Sequence, residues 1–192
     1  MSWATAQVEL VLPSPALQDS WLAAADELLA EGNGSYTEVV MPADDCFGGW
    51  EWTRETMGDP GAFAAMCAER IAQAEPDRPR PCGWVPHSTR WVVRDGEFVG
   101  AISLRHVLTP ELRAVGGHIG YSVRPSARGR GVATAALGLM LPVAASLGID
   151  PALVTCDDTN LASAAVIERN GGVLQVVLGG KRRYRVPTTP ST

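Results

Sequence analysis

Residues 118–147 admit few folds. A strand-like run, His118-Ile119-Gly120-Tyr121-Ser122-Val123, breaks at Arg124-Pro125, and a helical pattern resumes at Gly131 after a short arginine- and glycine-rich turn. The helical part sets Val132, Ala136, Met140, Val143 and Leu147 on one face. No large side chain stands in its first turn. A helix start of this kind presents unpaired backbone N–H groups with the helix dipole behind them, and such groups bind phosphate. Gly129 and Gly131 let the backbone approach a ligand closely. Arg128 and Arg130 add permanent positive charge suited to phosphate. A P-loop would need a lysine that this turn lacks. Gly129-Arg130-Gly131 supplies only the first half of a dinucleotide-binding GxGxxG. A flexible arginine–glycine loop is the plain alternative.

The flanking segments indicate the architecture. An apolar stripe through Leu17, Trp21, Ala24, Leu28 and Leu29 predicts a helix over 16–30, stopped by Glu31-Gly32-Asn33-Gly34. Pro60 opens a second helix over 60–74 whose apolar face is Phe63, Met66, Cys67, Ile71 and Ala74. Residues 35–57 give no clear period, and Trp50 and Trp52 within them read as packing residues. The proline-rich segment 77–86 is an irregular connector. Strand-like runs on either side of Arg94-Asp95-Gly96 predict a hairpin. A loop is expected over 109–117, a strand over 152–156, and a helix over 160–169 capped by Thr159 or Asn160. Two last strands, 173–178 and 182–186, flank Gly179-Gly180. Pro142 lies inside the long helix, where a kink is expected. The order implies a mixed, mostly antiparallel sheet with helices on both faces.

Charge and composition exclude several classes. The net charge is −5, but residues 1–79 hold 3 basic and 14 acidic side chains while residues 80–192 hold 13 and 7. The basic C-terminal part suits an anionic ligand. An acidic chain with no aromatic-interleaved basic module is a poor nucleic-acid partner. The most apolar stretch, 131–147, is broken by Thr134, Pro142 and Ser146, so no membrane span is expected. The first 15 residues carry Glu9 and no lysine or arginine, which argues against a secretory signal. Cys46, Cys67, Cys82 and Cys156 form no CxxC pair and no zinc spacing. Neither metal nor export is expected, and the cytoplasm is the expected compartment.

The turn resembles motif A of the GNAT acetyltransferases, a Gln/Arg-x-x-Gly-x-Gly/Ala pattern that reads here Arg128-x-x-Gly131-x-Ala133. Asn160, Ala162-Ser163, Val166, Glu168-Arg169 and Gly171 are similar to the family's Asn-x-Ala-Ser…Glu-Lys-x-Gly helix. The resemblance covers roughly residues 84–186 of what it implies is a single 192-residue domain with a variable helical part over 1–80. Its wording is similar to a bacterial branch of acetyltransferases. It implies acetyl-CoA as co-substrate, with the pyrophosphate held by backbone amides of Gly129, Arg130, Gly131, Val132, Ala133 and Thr134. It implies that pantetheine pairs like an added strand with Tyr121-Ser122-Val123. That strand is expected to splay from 152–156, with Asn160 and Ser163 contacting the pantetheine arm. The implied activity is acetyl transfer to a primary amine of a small molecule or peptide. The alternative is a non-catalytic acyl-CoA-binding or regulatory module. The family often forms homodimers.

Acetyl transfer needs a neutral amine, stabilisation of an oxyanion and a proton for the departing thiolate. The tyrosine many relatives carry in the last helix is Ile167 here, and a glutamate used by others in the fifth strand is Thr155. His118 is then the expected base, at the start of the cleft strand and with a pKa suited to neutrality. Tyr121 should face the opposite side from His118, as a core residue, or as the acid if a bulge turns the strand. Cys156 reads as buried packing. Lys181-Arg182-Arg183-Tyr184-Arg185 reads as a charged terminal strand that discourages edge pairing.

Overall fold

The computed structural model describes residues 7–33, 37, 39–45 and 47–189; Cys46 lies outside them. Seven strands form one sheet in the order β1-β4-β5-β6-β7-β9-β8: β1 (Val8–Val11), β4 (His87–Arg94), β5 (Glu97–Arg105), β6 (Ile119–Val123), β7 (Ala152–Asp157), β9 (Lys181–Val186) and β8 (Val173–Leu178). All neighbours are antiparallel except β6 and β7. A separate hairpin of β2 (Val39–Met41) and β3 (Trp50–Trp52) occupies the region with no sequence period.

Local chemistry explains the turns. Asp95 and Gly96 both take positive φ, 55° and 79°, which gives the mirror-image turn that joins β4 to β5. Gly179 and Gly180, at 60° and 71°, do the same between β8 and β9. Helix α1 (Gln18–Ala30) and helix α2 (Pro60–Ala72) cover one face of the sheet. Asp59 caps α2 by accepting from the Ala62 amide. Here Trp21, Phe63, Met66, Trp91 and Phe98 build a tryptophan-rich core. Trp50 and Trp52 stack at 4.3 Å against it, so they are packing residues as read.

The other face is covered by α4 (Val132–Ser146) and α5 (Leu161–Arg169), over Ile102, Leu104, Ile119, Val154 and Tyr184. Asn170 ties these helices together, donating to the Thr134 and Val166 carbonyls at 3.1 and 2.9 Å. A Cβ on Gly138 would sit 3.0 Å from the Asn170 Oδ1. That close approach, more than the neighbouring Pro142, accounts for glycine at 138.

Several expectations are corrected. The segment expected as a loop over 109–117 holds a short helix, α3 (Pro110–Ala114), capped by Thr109. The long helix buries Leu137, Leu141 and Ala144 and leaves Leu147 exposed, because it packs over a broader face than one stripe. Ile71 is likewise exposed. The basic strand β9 is internal, paired on both sides, and β8 is the edge. All six β8 residues are exposed, with five valines and leucines at 40 to 60%. Tyr184, between the arginines of β9, is fully buried and donates to Glu168 at 3.0 Å. Among the described residues, no helix is long and apolar enough to cross a membrane.

Candidate active site

Strands β6 and β7 touch only at one end. Ile119 pairs with Val154, Gly117 bridges to Val154, and the His118 amide donates to the Leu153 carbonyl at 2.6 Å. Beyond Ile119 the two strands have no pairing, so β6 keeps a free edge. The gap between them, α4 and α5 is a cavity of about 710 Å³. Tyr121, Ser122, Val123, Arg128, Gly129, Gly131, Val132, Ala133, Thr134, Asn160 and Ser163 all line it. Two of the expected site residues, His118 and Arg130, are not part of this lining.

The turn at the head of α4 is built to leave nitrogens bare. Gly129 and Gly131 take φ of 73° and 78°, and Gly131 caps the helix with no side-chain hydrogen bond. Among the described residues, none accepts a hydrogen bond from the amides of Gly129 to Thr134; the first helical amide with a partner is Ala135, bonded to the Gly131 carbonyl at 3.0 Å. A Cβ at either glycine would meet no protein atom within 4 Å. The space in front of these amides is open. Groups of this kind lose free energy unless water or a ligand meets them.

Arg128 also makes contacts within the protein. The Arg128 Nε donates to the Val123 carbonyl at 2.9 Å, and its Nη1 pairs with Glu31 at 2.8 Å. Glu31 is one turn from Glu27 on α1. Glu27 accepts from Arg124 at 3.0 and 2.5 Å and from the Ser126 amide and hydroxyl at 2.9 Å. Two carboxylates of the N-terminal helix therefore fasten the turn to the opposite half of the chain. Sequence reading missed Glu31 and Asn33, and also Asp157 and Arg169, all of which line the cavity. The only local signal was the four-residue spacing of Glu27 and Glu31 on a helix.

Hydrogen bonds from Arg124, and then from Ser126, outweigh burial and bring the Glu27 pKa from 4.5 to about 2. A depressed carboxyl pKa stabilises the fold above 4.5, and that contribution disappears as pH falls toward 2. Glu27→Gln is expected to cost about 1–2 kcal/mol at pH 7, after allowance for solvent screening. The penalty should shrink below pH 4, as chemical denaturation at several pH values would record. An equal penalty at pH 3 and pH 7 would rule out the ion pair as its source.

Tyr121 reaches the cavity without a bulge, because β6 keeps regular register with β5 and diverges from β7. Its hydroxyl lies 2.7 Å from the Ser163 Oγ. Asn160 caps α5 by accepting from the Ser163 amide at 3.0 Å. Asn160, Ser163 and Tyr121 thus form one connected group at the start of α5. His118 projects to the other side of β6, and its Nδ1 accepts from the Leu153 amide at 2.9 Å. Burial, then the charges of Arg113 and Arg105, hold its pKa below the ordinary 6.5. Cys156 is buried, and burial pushes its thiol pKa up, away from a nucleophilic thiolate. Ile167 is fully buried in the core, and Thr155 accepts from the Gly116 amide at 3.0 Å. Among the described residues no cluster of His, Cys, Asp or Glu suits a metal ion.

Solved structures share this fold. Mycobacterium smegmatis RimJ, in complex with CoA-disulfide, superposes with a TM-score of 0.62 at 21% identity, over 95% of this chain and 81% of that one. RimL, a ribosomal L7/L12 alpha-N-protein acetyltransferase in complex with coenzyme A, gives 0.58 at 18%, over 94% of each chain. The microcin C7 self-immunity acetyltransferase MccE, in complex with acetyl-CoA and AMP, gives 0.58 at 13%, over 94% and 92%. Among curated protein sequences, none matches the chain. Residues 38–173 match the family model of the acetyltransferase (GNAT) domain, and the chain belongs to that family.

Proposed function

We propose that the protein is an N-acetyltransferase that moves an acetyl group from acetyl-CoA to a primary amine. The observation that carries this reading is the set of unpartnered amides from Gly129 to Thr134 facing open space at a helix start. A diphosphate fits that cradle, and its charge meets the positive end of the α4 dipole. The free edge of β6 from Tyr121 to Val123 offers main-chain groups to an amide-bearing arm laid alongside it. Asn160 and Ser163 face the same space from α5. When bound, acetyl-CoA supplies an activated acyl thioester. CoA-bound structures of RimJ and RimL, and the acetyl-CoA complex of MccE, support the choice of ligand.

The Tyr121 hydroxyl, held by Ser163 in the cleft, is the group we assign as proton donor to the departing sulfur. For His118 a supporting role fits better than that of base. With Nδ1 accepting from Leu153, the neutral ring carries its proton on Nε2 and has no free lone pair to offer. Tyr121→Phe is expected to lower kcat about 100-fold with CoA affinity nearly unchanged. His118→Ala is expected to cost about 1 kcal/mol of stability and to leave any rate limb near neutrality in place. Steady-state rates against pH check both; full activity in Tyr121→Phe, or a vanished limb in His118→Ala, would reverse these roles.

A fully buried Ile167, where the resemblance implies a tyrosine, favours one other reading, a CoA-binding module without turnover. Release of free CoA thiol across a broad panel of amines separates the two. Tight CoA binding with no release from any amine would support the module.

A further inference from the structure

Behind β6, on the face opposite the main cleft, lies a second, small cavity of about 40 Å³. Gly120 and Ser122 line it from β6, Thr89 and Ser103 from β4 and β5, and Arg70 from α2. Ser122 lines both cavities, so the two lie back to back across one strand. The small cavity exists because β5 and β6 present small residues on this face. Trp21, Trp91 and Phe98 also wall it, and Trp91 is almost fully buried.

Arg70 is the unusual group here. It is half-buried, the Trp52 ring lies 4.8 Å from its Cζ, and its Nε points at the Met66 sulfur at 3.1 Å. Among the described residues, no carboxylate pairs with it and no oxygen accepts from its terminal nitrogens. Burial, opposed by the neighbouring Cys67, brings its pKa down to about 10, so the side chain remains a cation at neutral pH. In the main cleft, by contrast, Arg128 is matched by Glu31. A half-buried guanidinium without an anion has unmatched charge, and a carboxylate satisfies its two-pronged donor edge. The hydroxyls of Thr89 and Ser103 are hydrogen-bonded at 3.1 Å on the same lining, which leaves one O–H of the pair to donate to an anion. A volume of about 40 Å³ holds two or three waters, or one compact carboxylate, by the usual allowance for a water.

We propose that this cavity is the anchoring subsite for the acceptor, and that the acceptor amine therefore carries a carboxylate, which Arg70 binds. The proposal rests on the acetyltransferase reading, which it narrows to amines such as amino acids or peptides with an acidic group near the reacting nitrogen. The carboxylate sits on the α2 side of β6, and the amine reaches past Ser122 toward the cleft.

The test uses matched pairs of probes: aspartate, glutamate, alanine and 4-aminobutyrate, each against the amide of the carboxyl group, and Asp- or Glu-containing dipeptides against their Asn and Gln counterparts. Binding to the CoA complex is read by calorimetry, and acetyl transfer by release of CoA thiol. At least one acid is expected to surpass its amide by tenfold or more in affinity, and the free amino acid and dipeptide arms identify the source of the carboxylate. Arg70→Met should abolish the preference, and Arg70→Lys should restore part of it. Unchanged CoA affinity and melting temperature in these variants would show that the fold survives. Failure of every acid to bind, indistinguishable acid and amide, or a preference that persists in Arg70→Met would overturn the proposal. Arg70-dependent carboxylate binding without acetyl transfer would uphold the subsite and overturn the activity. Transfer to amines with no carboxylate preference would do the reverse.

Discussion

Gly131→Val is expected to raise the dissociation constant for CoA by at least about two orders of magnitude while the protein stays folded. The reason lies in which atoms the new side chain meets. At Gly131 a Cβ meets no protein atom within 4 Å, so the fold has room for it. The backbone φ of 78° is left-handed, which costs a side chain roughly 1–2 kcal/mol. The branched methyls would occupy the open space in front of the bare amides, where a diphosphate must approach. Gly148 is a matched control, with φ of 74° and equally open surroundings at the far end of α4. Gly148→Val carries the same backbone strain and should leave CoA affinity untouched. Thermal stabilisation by CoA decides the matter. The unaltered protein should gain about 2.7 kcal/mol at a ligand concentration about 100 times its dissociation constant. Gly131→Val should gain almost nothing at that concentration. Equal gains in both would remove the turn from the binding site.

Gly117→Ala is expected to be strongly destabilising, at about 3 kcal/mol. Its φ is 62°, and a Cβ would lie 2.4 Å from the Leu153 carbonyl oxygen and 3.0 Å from its carbon. Both are backbone atoms of β7, so no side-chain rotation relieves the clash. Gly117, His118 and Ile119 make the contacts that hold β6 to β7. Prying this end apart also moves Tyr121, two residues along β6 from Ile119. Differential scanning calorimetry should show a fall in Tm of roughly 6–12 °C, and kcat should drop in the surviving folded protein. An alanine variant with unchanged Tm would mean that the two strands tolerate separation there.

These two glycines also show which parts of the molecule could be read from the chain. Turn chemistry was legible, because it depends on a residue's own backbone: Asp95-Gly96 and Gly179-Gly180 both make the hairpins expected of them. Asn160 caps its helix for the same local reason. The arginine–glycine turn was legible as a strand-to-helix passage with bare amides. What Arg128 does was not, since its partner Glu31 lies 97 residues away and neither sequence neighbourhood refers to the other. The same holds for Arg70, which stood on a helix with no motif and acquires meaning only when β4, β5 and β6 are brought against it. Periodicity failed where packing is two-sided: α4 touches both sheet and α5, so a single stripe underestimated its buried surface. Strands β2 and β3 are three residues each, too short for any alternation to register.

The fastening of α1 to the turn has a consequence for anyone recombining this protein. The surplus of acid in residues 1–79 and of base beyond them is partly an internal lock, with Glu27 on Arg124 and Glu31 on Arg128. A chimera that grafts the stretch from 84 to 186 onto a foreign N-terminal segment would inherit two orphaned guanidinium groups beside the helix start. Such a hybrid needs acceptor carboxylates four residues apart at its first helix before its loop can hold shape, so the natural unit of exchange includes α1.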